Sequence, residues 1–170
     1  MATLLKLTDL LSYKTYAQAL ATSHKQINGF KWGDADIVRN DVRSDMDTNF
    51  LWAAPYEEVT YDATDGDHVL KVKESVMVYL EPRNSELFAD IDAQYQACET
   101  RAEEILARIE RDRRGVQQGN DWVEIITRIT SPRLRPVEHL IGSTVYVGFE
   151  ILLQFMDNSG MIYDPNLWND

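Results

Sequence analysis

The sequence predicts an α+β protein in which a mainly antiparallel sheet carries two helices packed on one face. Three observations support this. Two segments repeat apolar residues at helical spacing, several alternate apolar and polar residues as strands do, and turn-forming residues separate them. The element order is α, β, β, β, α, β, β, without internal repeats or linkers. We therefore expect a single domain spanning residues 1–170.

The first helix is predicted over residues 9–26. Thr8 or Asp9 supplies a side-chain oxygen suited to an N-cap, and Asn28-Gly29 supplies residues that end a helix. Between them the apolar positions are Leu10, Leu11, Tyr13, Tyr16, Ala17, Leu20 and Ala21. Their spacing alternates near three and four, so one face of this helix is expected to pack on the core.

Residues 29–48 show a period of neither 2 nor 3.6, and they are rich in Asp, Arg and Asn. We expect a long surface loop here, with room for a short strand over 37–42. Loops of this length are usually functional or flexible. The segment is therefore a place to look for partner contacts.

A short buried strand is predicted at 50–54, where an apolar run is closed by Pro55. A hairpin follows, with its first arm over 56–61 and its second over 68–80. Asp65-Gly66 supplies the turn between the two arms.

The two faces of the second arm differ in composition. One face is apolar except at Glu74 and holds Leu70, Val72, Val76, Val78 and Leu80. The other face holds Lys71, Lys73, Ser75 and Tyr79. We expect the first face to lie in the core and the second to lie in water.

The most regular pattern predicts a helix over 85–113, capped by Asn84 or Ser85 and roughly 43 Å long at ~1.5 Å per residue. Its apolar stripe consists of Phe88, Ile91, Tyr95, Cys98, Ala102, Ile105 and Ile109. A strict alternation of 3 and 4 also suits a coiled coil. Because Cys98 and Ala102 are small, packing on a sheet is favoured.

Two strands are predicted in the C-terminal third of the sequence, over 122–130 and 143–156, with a proline-bearing link over 131–136. Apolar residues alternate without a break from 145 to 155, so the second strand is expected to be long. Residues 157–170 are interpreted as a tail made of a turn and an apolar peptide.

No motif for catalysis or metal binding is present. His24, His68 and His139 lack ligand spacing, and no acidic segment satisfies a calcium-loop pattern. Cys98 lies on the apolar stripe of the long helix, where burial is expected rather than reactivity. We therefore predict no catalytic residue, no cofactor and no metal. An enzyme with a dispersed acid/base pair that uses Glu74 is the alternative.

The composition narrows the possible partners. The net charge is −11, so phosphate backbones are expected to be repelled unless a basic patch is segregated on one face. The apolar runs are too short for a membrane helix, and the single cysteine cannot form an internal disulfide. A soluble protein without a membrane partner is predicted.

Candidate partner contacts come from two residue types: aromatics in irregular segments, which often anchor interfaces, and charged residues of the loop and the long helix. The predicted contact residues are Trp32, Asp34, Asp36, Arg39, Arg111, Arg114, Tyr163 and Trp168. For the arginines, stabilisation of a helix C-terminus is the alternative. For the aromatics, packing on the protein's own core is the alternative.

The whole-chain pattern resembles tail-region proteins of tailed bacteriophages and prophages. The resemblance is carried by weak motifs: Ile27-Asn28-Gly29-Phe30-Lys31-Trp32-Gly33, then Tyr79-Leu80-Glu81-Pro82 before a long helix, and Tyr163-Asp164-Pro165-Asn166-Leu167-Trp168. The order of elements is similar to that of tail-terminator and head–tail joining (neck) proteins, which are small α+β ring subunits.

This resemblance implies a homo-oligomeric ring, with six subunits expected, that caps the tail tube and joins it to the neck. It implies contacts with tail-tube and neck or connector proteins, and DNA that passes through the lumen without specific binding. The implied location is the virion tail or neck, and the host cytoplasm during assembly. The alternatives are another tail or neck component (a tube, completion or connector protein) or a soluble module that binds a small molecule.

Overall fold

A computed structural model describes residues 2–34, 48–65, 68–115, 122–125 and 127–157 of the chain. Its helices are α1 (Leu10–Ser23) and α2 (Phe88–Arg113). Its strands are β1 (Ala2–Leu5), β2 (Gly29–Trp32), β3 (Phe50–Ala53), β4 (Glu58–Asp65), β5 (His68–Pro82), β6 (Trp122–Ile125), β7 (Arg128–Ile141) and β8 (Thr144–Asp157). The predicted α+β class is confirmed, as is the long strand predicted over 143–156.

Six strands form one sheet in the order β2-β3-β5-β8-β7, and β4 pairs along the N-terminal part of β5. Every pair in this sheet is antiparallel except β2 with β3. β1 and β6 form a separate parallel pair. The strand predicted over 122–130 is therefore two strands, β6 and the start of β7.

The first four residues of the segment predicted as a loop form a strand, and residues 35–47 of that segment lie outside the described residues. Gly29–Trp32 is strand β2, which runs parallel to β3 with Gly29 beside Phe50 and Trp32 beside Ala53. A four-residue strand is too short for a period of 2 to be visible in the sequence. The strand predicted at 37–42 lies outside the described residues.

The link predicted over 131–136 is wrong, because β7 continues through it. Pro132 and Pro136 are tolerated since β7 lies at an edge of the sheet, where a missing N–H on the outer side breaks no ladder hydrogen bond. The register with β8 shifts between Thr130 and Arg133, which marks a bulge.

Both helices pack on the same face of the sheet. Tyr13, Ala17 and Leu20 of α1 share one buried cluster with the α2 residues Cys98, Ala102, Ile105 and Ile109 and with alternate residues of β8, namely Val147, Phe149, Ile151, Leu153 and Phe155. The α2 stripe is thus confirmed from Cys98 to Ile109. The two-helix layer and the sheet form the main core.

The face of β5 that was expected to be wet lies partly in this core. Ser75 and Tyr79 are buried there, and Met77 between them is fully buried. The Ser75 hydroxyl donates to the Tyr13 hydroxyl at 2.7 Å, which satisfies a polar group under α1. The prediction of one wet face was wrong because it took the lysines at the start of β5 as representative of the whole strand.

The other face of the sheet is also buried. Its cluster contains Phe50 and Trp52 of β3, Val76, Val78 and Leu80 of β5, Ile141 of β7 and Tyr146 of β8. The Trp52 and His139 ring centroids lie 5.9 Å apart although two strands separate β3 from β7. Since neighbouring strands are about 4.8 Å apart, a flat sheet would separate these two strands by roughly 14 Å. The sheet therefore curls enough for side chains from β3 and β7 to meet across this concave face.

A glycine in β8 lies where the backbone of β5 leaves no room for a side chain. Gly148 pairs with Leu80, and a Cβ added to Gly148 would lie 1.8 Å from the backbone oxygen of Tyr79. No side chain fits in that space. A glycine inside a strand often indicates such a close backbone approach.

Gly148→Ala is expected to destabilise the protein by at least about 3 kcal/mol, because the added methyl group forces the two backbones apart. The free energy of unfolding from urea denaturation measures this. Ser143→Ala, in the exposed turn between β7 and β8, is the matched control and should change that free energy by less than about 0.5 kcal/mol. Equal midpoints for the two variants would contradict the close approach.

Candidate partner-binding surfaces

Three large apolar side chains are exposed at one end of the sheet. Leu87 is 68% exposed, Phe88 is 86% exposed and Leu140 is 65% exposed. We call these three residues the end patch. Isolated apolar residues on a surface are ordinary, but several together at one end of a fold indicate a contact site.

The hydrogen bonds around the start of α2 place these residues at the same end. The Arg83 guanidinium donates to Glu138 at 3.4 Å and to Glu86 at 2.7 Å. Glu86 directly precedes Leu87, and Glu138 lies two residues before Leu140. The helix then runs along β7 in the opposite direction, since its later residues approach the start of that strand.

The predicted stripe of α2 fails at its N-terminal end. Phe88 was expected on the core side, but it lies in the first turn, and Ile91 is only half-buried. The Tyr95 hydroxyl donates to the Val137 carbonyl at 3.4 Å, so the helix first meets the sheet about two turns after it begins. Ser85 does not serve as the N-cap; Leu87 occupies that position without a side-chain cap.

A buried carboxylate organises the C-terminal end of α2. Asp112 accepts hydrogen bonds from the Tyr16 hydroxyl at 3.0 Å, from Arg108 Nε at 2.8 Å and from Arg111 Nη2 at 2.9 Å. Burial, and next the Asp112 charge, raise the pKa of Tyr16. The network ties α1 to α2, and it engages the predicted contact residue Arg111 within the protein itself.

A second, more exposed pair of arginines surrounds Glu110. Arg113 donates to it through Nε at 2.7 Å and Arg114 through Nε at 2.8 Å. These hydrogen bonds lower the pKa of Glu110 to about 2. Arg114, another predicted contact residue, thus also has a partner in its own chain.

Of the six other predicted contact residues, the structure describes two. Trp32 is half-buried against the core, edge-on to Tyr13 with centroids 5.7 Å apart, with Lys14 Nζ 5.7 Å from its ring. Asp34 is exposed. The other four, Asp36, Arg39, Tyr163 and Trp168, lie outside the described residues. Of the four predicted contact residues that the structure describes, Arg111 and Arg114 therefore have partners in their own chain, Trp32 packs on the core, and Asp34 is exposed.

A polar row crosses the concave face. The Thr130 hydroxyl donates to the Gln154 side-chain oxygen at 3.2 Å, and the Gln154 amide donates to Glu74. Glu74 interrupts the apolar face of β5 because it belongs to this row. The Gln154 amide is thus its hydrogen-bond partner.

An apolar pocket of about 330 Å³ lies between α2 and the β7–β8 pair. Leu106 and Ile109 line it from the helix, Ile129 and Leu153 line it from the strands, and Glu110 and Arg113 also border it. The volume suits a small apolar molecule.

The described residues contain no group of three potential metal ligands, and none of their helices is long and apolar enough to cross a membrane. Cys98 is buried, and burial raises the pKa of its thiol to about 12. A thiol with such a pKa is almost fully protonated at neutral pH and is a poor nucleophile.

No protein-family model matches the chain, and no curated protein matches it. The candidate surfaces therefore rest on the geometry. Sequence reasoning missed the end patch because Leu87 and Leu140 fit no pattern, and because the helical spacing of Phe88 predicted burial.

Glu110→Gln should reduce the loss of stability on acidification. The carboxylate has a folded-state pKa of about 2 against an ordinary value of 4.5. Its ion pairs therefore stabilise the fold fully above pH 4.5 and are lost as the pH falls through 2. The melting temperature of the wild type should fall more than that of Glu110→Gln over this range, and the difference should shrink in high salt.

Glu103→Gln is the control for this experiment, since Glu103 is exposed on the same helix and makes no ion pair with any described residue. Its acid response should match that of the wild type. A Glu110→Gln variant that also matches the wild type would contradict the role of the two arginines.

Proposed function

We propose that the chain is a structural subunit of a phage-type tail, a ring-forming tail terminator that caps the tail tube and joins it to the neck. The observation that carries the proposal is the end patch of Leu87, Phe88 and Leu140. It lies where strands and helix begin or end, so a partner stacked along the strand direction would cover it. A tail tube or a neck ring is such a partner.

The buried faces of the sheet support the same proposal. The helices cover one face and the curled sheet covers the other. A partner therefore has the edges and the ends of the sheet to bind. Edges suit neighbours within a ring, and ends suit the proteins above and below it. The net charge of −11 suits a channel past which DNA moves without binding.

The paired substitution Leu87→Ser/Phe88→Ser is expected to weaken capture by tail-tube or neck protein at least about tenfold, because it removes two of the three apolar side chains of the end patch. Native mass of the wild type would be measured across a wide concentration range, alone and with tail-tube protein. A concentration-dependent hexamer, or a ring formed only with tube protein, is the expected result.

Leu11→Ser is the matched control, since Leu11 is 71% exposed on α1, away from the end patch. It should leave capture unchanged. A chain that stays monomeric and ignores both tube and neck proteins would overturn the proposal. Capture by neck protein alone would favour a connector over a terminator.

A soluble module that binds a small molecule is the second candidate, and the 330 Å³ apolar pocket favours it. This candidate predicts that an anilinonaphthalene sulfonate dye binds with one-to-one stoichiometry. Ala107→Trp, at the exposed border of the pocket, should then abolish dye fluorescence without lowering the melting temperature. A terminator whose pocket is only a packing defect would show no saturable dye binding.

A further inference from the structure

The apolar pocket between α2 and the β7–β8 pair lies at the bulge of β7. The register shift leaves residues 131 and 132 together opposite Leu153. Large apolar side chains of β7 pack against the core on both sides of this place, at Ile129 and Leu134. Between them Pro132 lines the pocket. The row of large side chains under α2 is therefore interrupted where the pocket lies.

The interior of the pocket is apolar and its border is open to solvent. Six of the eight described residues that line it have side chains without a polar atom. Ile109 and Leu153 belong to the buried core, whereas Ala107 and Pro132 are exposed. The volume of about 330 Å³ is at the lower end of the ~300–1,000 Å³ found for ligand pockets. The pocket therefore fits a small apolar group that enters from solvent.

Two arginines and one carboxylate lie at the same border. Arg113 donates to Glu110 through Nε and through Nη2, both at 2.7 Å. Arg114 donates to the same carboxylate through Nε at 2.8 Å. Glu110 and Arg113 line the pocket directly. Because two guanidinium groups share one carboxylate, one positive charge is left over at the border.

Arg113 keeps hydrogen-bond donors for a second acceptor. A guanidinium has five N–H groups, and the two hydrogen bonds to Glu110 use two of them. The Arg113 side chain is 43% exposed, so a ligand at the pocket border can reach the remaining N–H groups. The planar guanidinium matches the geometry of a carboxylate, which it binds with charge-assisted hydrogen bonds.

The charge balance at the border selects the charge of the ligand. One excess positive charge matches a single carboxylate, whereas a phosphate monoester carries about −1.5 to −2 at pH 7 and would lie beside Glu110. An ammonium group would meet two arginines, which repel it. The net charge of −11 on the whole chain acts against every anion, but salt screens charges beyond ~10 Å at 0.1 M. The nearby arginines therefore have the larger effect.

We propose that this pocket binds a small amphiphilic carboxylate, with its apolar body between α2 and the β7–β8 pair and its carboxylate on Arg113. Binding is non-covalent: burial of apolar area holds the body, and hydrogen bonds from the guanidinium hold the head group. This inference rests on the second candidate function, the module that binds a small molecule, and it names the class of ligand. The end patch plays no part in it.

Three ligands with the same eight-carbon chain test the proposal. Octanoate carries a carboxylate, octanol is neutral and octylammonium carries a positive charge. Isothermal titration calorimetry of the full chain at neutral pH should give octanoate the lowest dissociation constant, at least about fivefold below that of octanol, and octylammonium the highest. The difference between octanoate and octanol should shrink as the salt concentration rises.

Arg113→Gln is expected to raise the dissociation constant of octanoate to that of octanol and to leave octanol binding unchanged, because the apolar walls are intact. Arg101→Gln is the matched control. Arg101 donates to Glu104 in an i,i+3 pair, as Arg113 pairs with Glu110, but it lies roughly 18 Å away along α2 at ~1.5 Å per residue. This control should leave all three affinities at wild-type values.

Two further variants separate the head group from the body of the ligand. Glu110→Gln should tighten octanoate binding, because both arginines lose the carboxylate that competes with the ligand. Ala107→Trp should abolish binding of all three ligands, because the indole fills the pocket from its exposed border.

The outcomes separate the proposals. Equal dissociation constants for octanoate and octanol, or an Arg113→Gln variant that still prefers octanoate, would overturn the carboxylate class while the small-molecule module stands. Binding that survives Ala107→Trp at the wild-type melting temperature would overturn the pocket as the site. If neither the dye nor any of the three ligands binds saturably, the module and the ligand class are overturned together. Capture by tail-tube protein tests the terminator independently of these results.

Discussion

The pairing of β5 with β8, the two central strands, depends on the absence of a side chain at Gly148, where a Cβ would lie 1.8 Å from the Tyr79 carbonyl oxygen. The sheet coils, and on its concave face Phe50 and Tyr146 meet with their ring centroids 5.5 Å apart. The coiling buries the concave apolar face without a second layer of helices. Both helices can then lie on the opposite face, which they cover together. A flat sheet of the same sequence would leave Trp52 and its neighbours in water.

On the helix face, buried tyrosines fix the position of α1. The Tyr13 hydroxyl accepts from Ser75 of β5, and the Tyr16 hydroxyl donates to Asp112 near the end of α2. Burial raises the pKa of both tyrosines, so they stay neutral and keep these roles at physiological pH. A polar group left without its partner in such a site is costly. The bonds therefore select one placement of α1 out of the many that its apolar face would allow.

The sequence predicted the elements whose apolar residues repeat at a regular spacing, and it missed features that depend on single residues and their surroundings. The stripe from Cys98 to Ile109 and the alternation in β8 gave the right elements, because burial repeats there over several turns or pairs. The prolines in the middle of β7 led us to predict a link there. Proline is excluded from central strands, but β7 is an edge strand, where proline is tolerated. The partner of Arg111 could not be predicted for the same reason. The sequence alone does not show that Asp112 is buried beside Tyr16, where it accepts a hydrogen bond from Arg111. The end patch was missed because the exposure of Leu87 and Phe88 depends on where the sheet beneath the helix ends. The spacing of apolar residues along the helix does not contain that information.

Because both faces of the sheet are buried, partners can bind only at the surfaces that remain exposed. Once both faces of the sheet are covered, the groups left exposed among the described residues include Phe88 and Leu87 at the start of α2 and the unpaired outer sides of β4 and β7. Apolar area is driven out of water whatever its direction, whereas the N–H and C=O groups of a strand edge bind a neighbour only in register. In the proposed ring these two kinds of surface would have separate tasks: the strand edges would meet copies of the same chain, and the apolar end would bind a different protein. A ring stacked on a tube requires this separation, because a surface that binds the neighbouring subunit must not bind the tube instead.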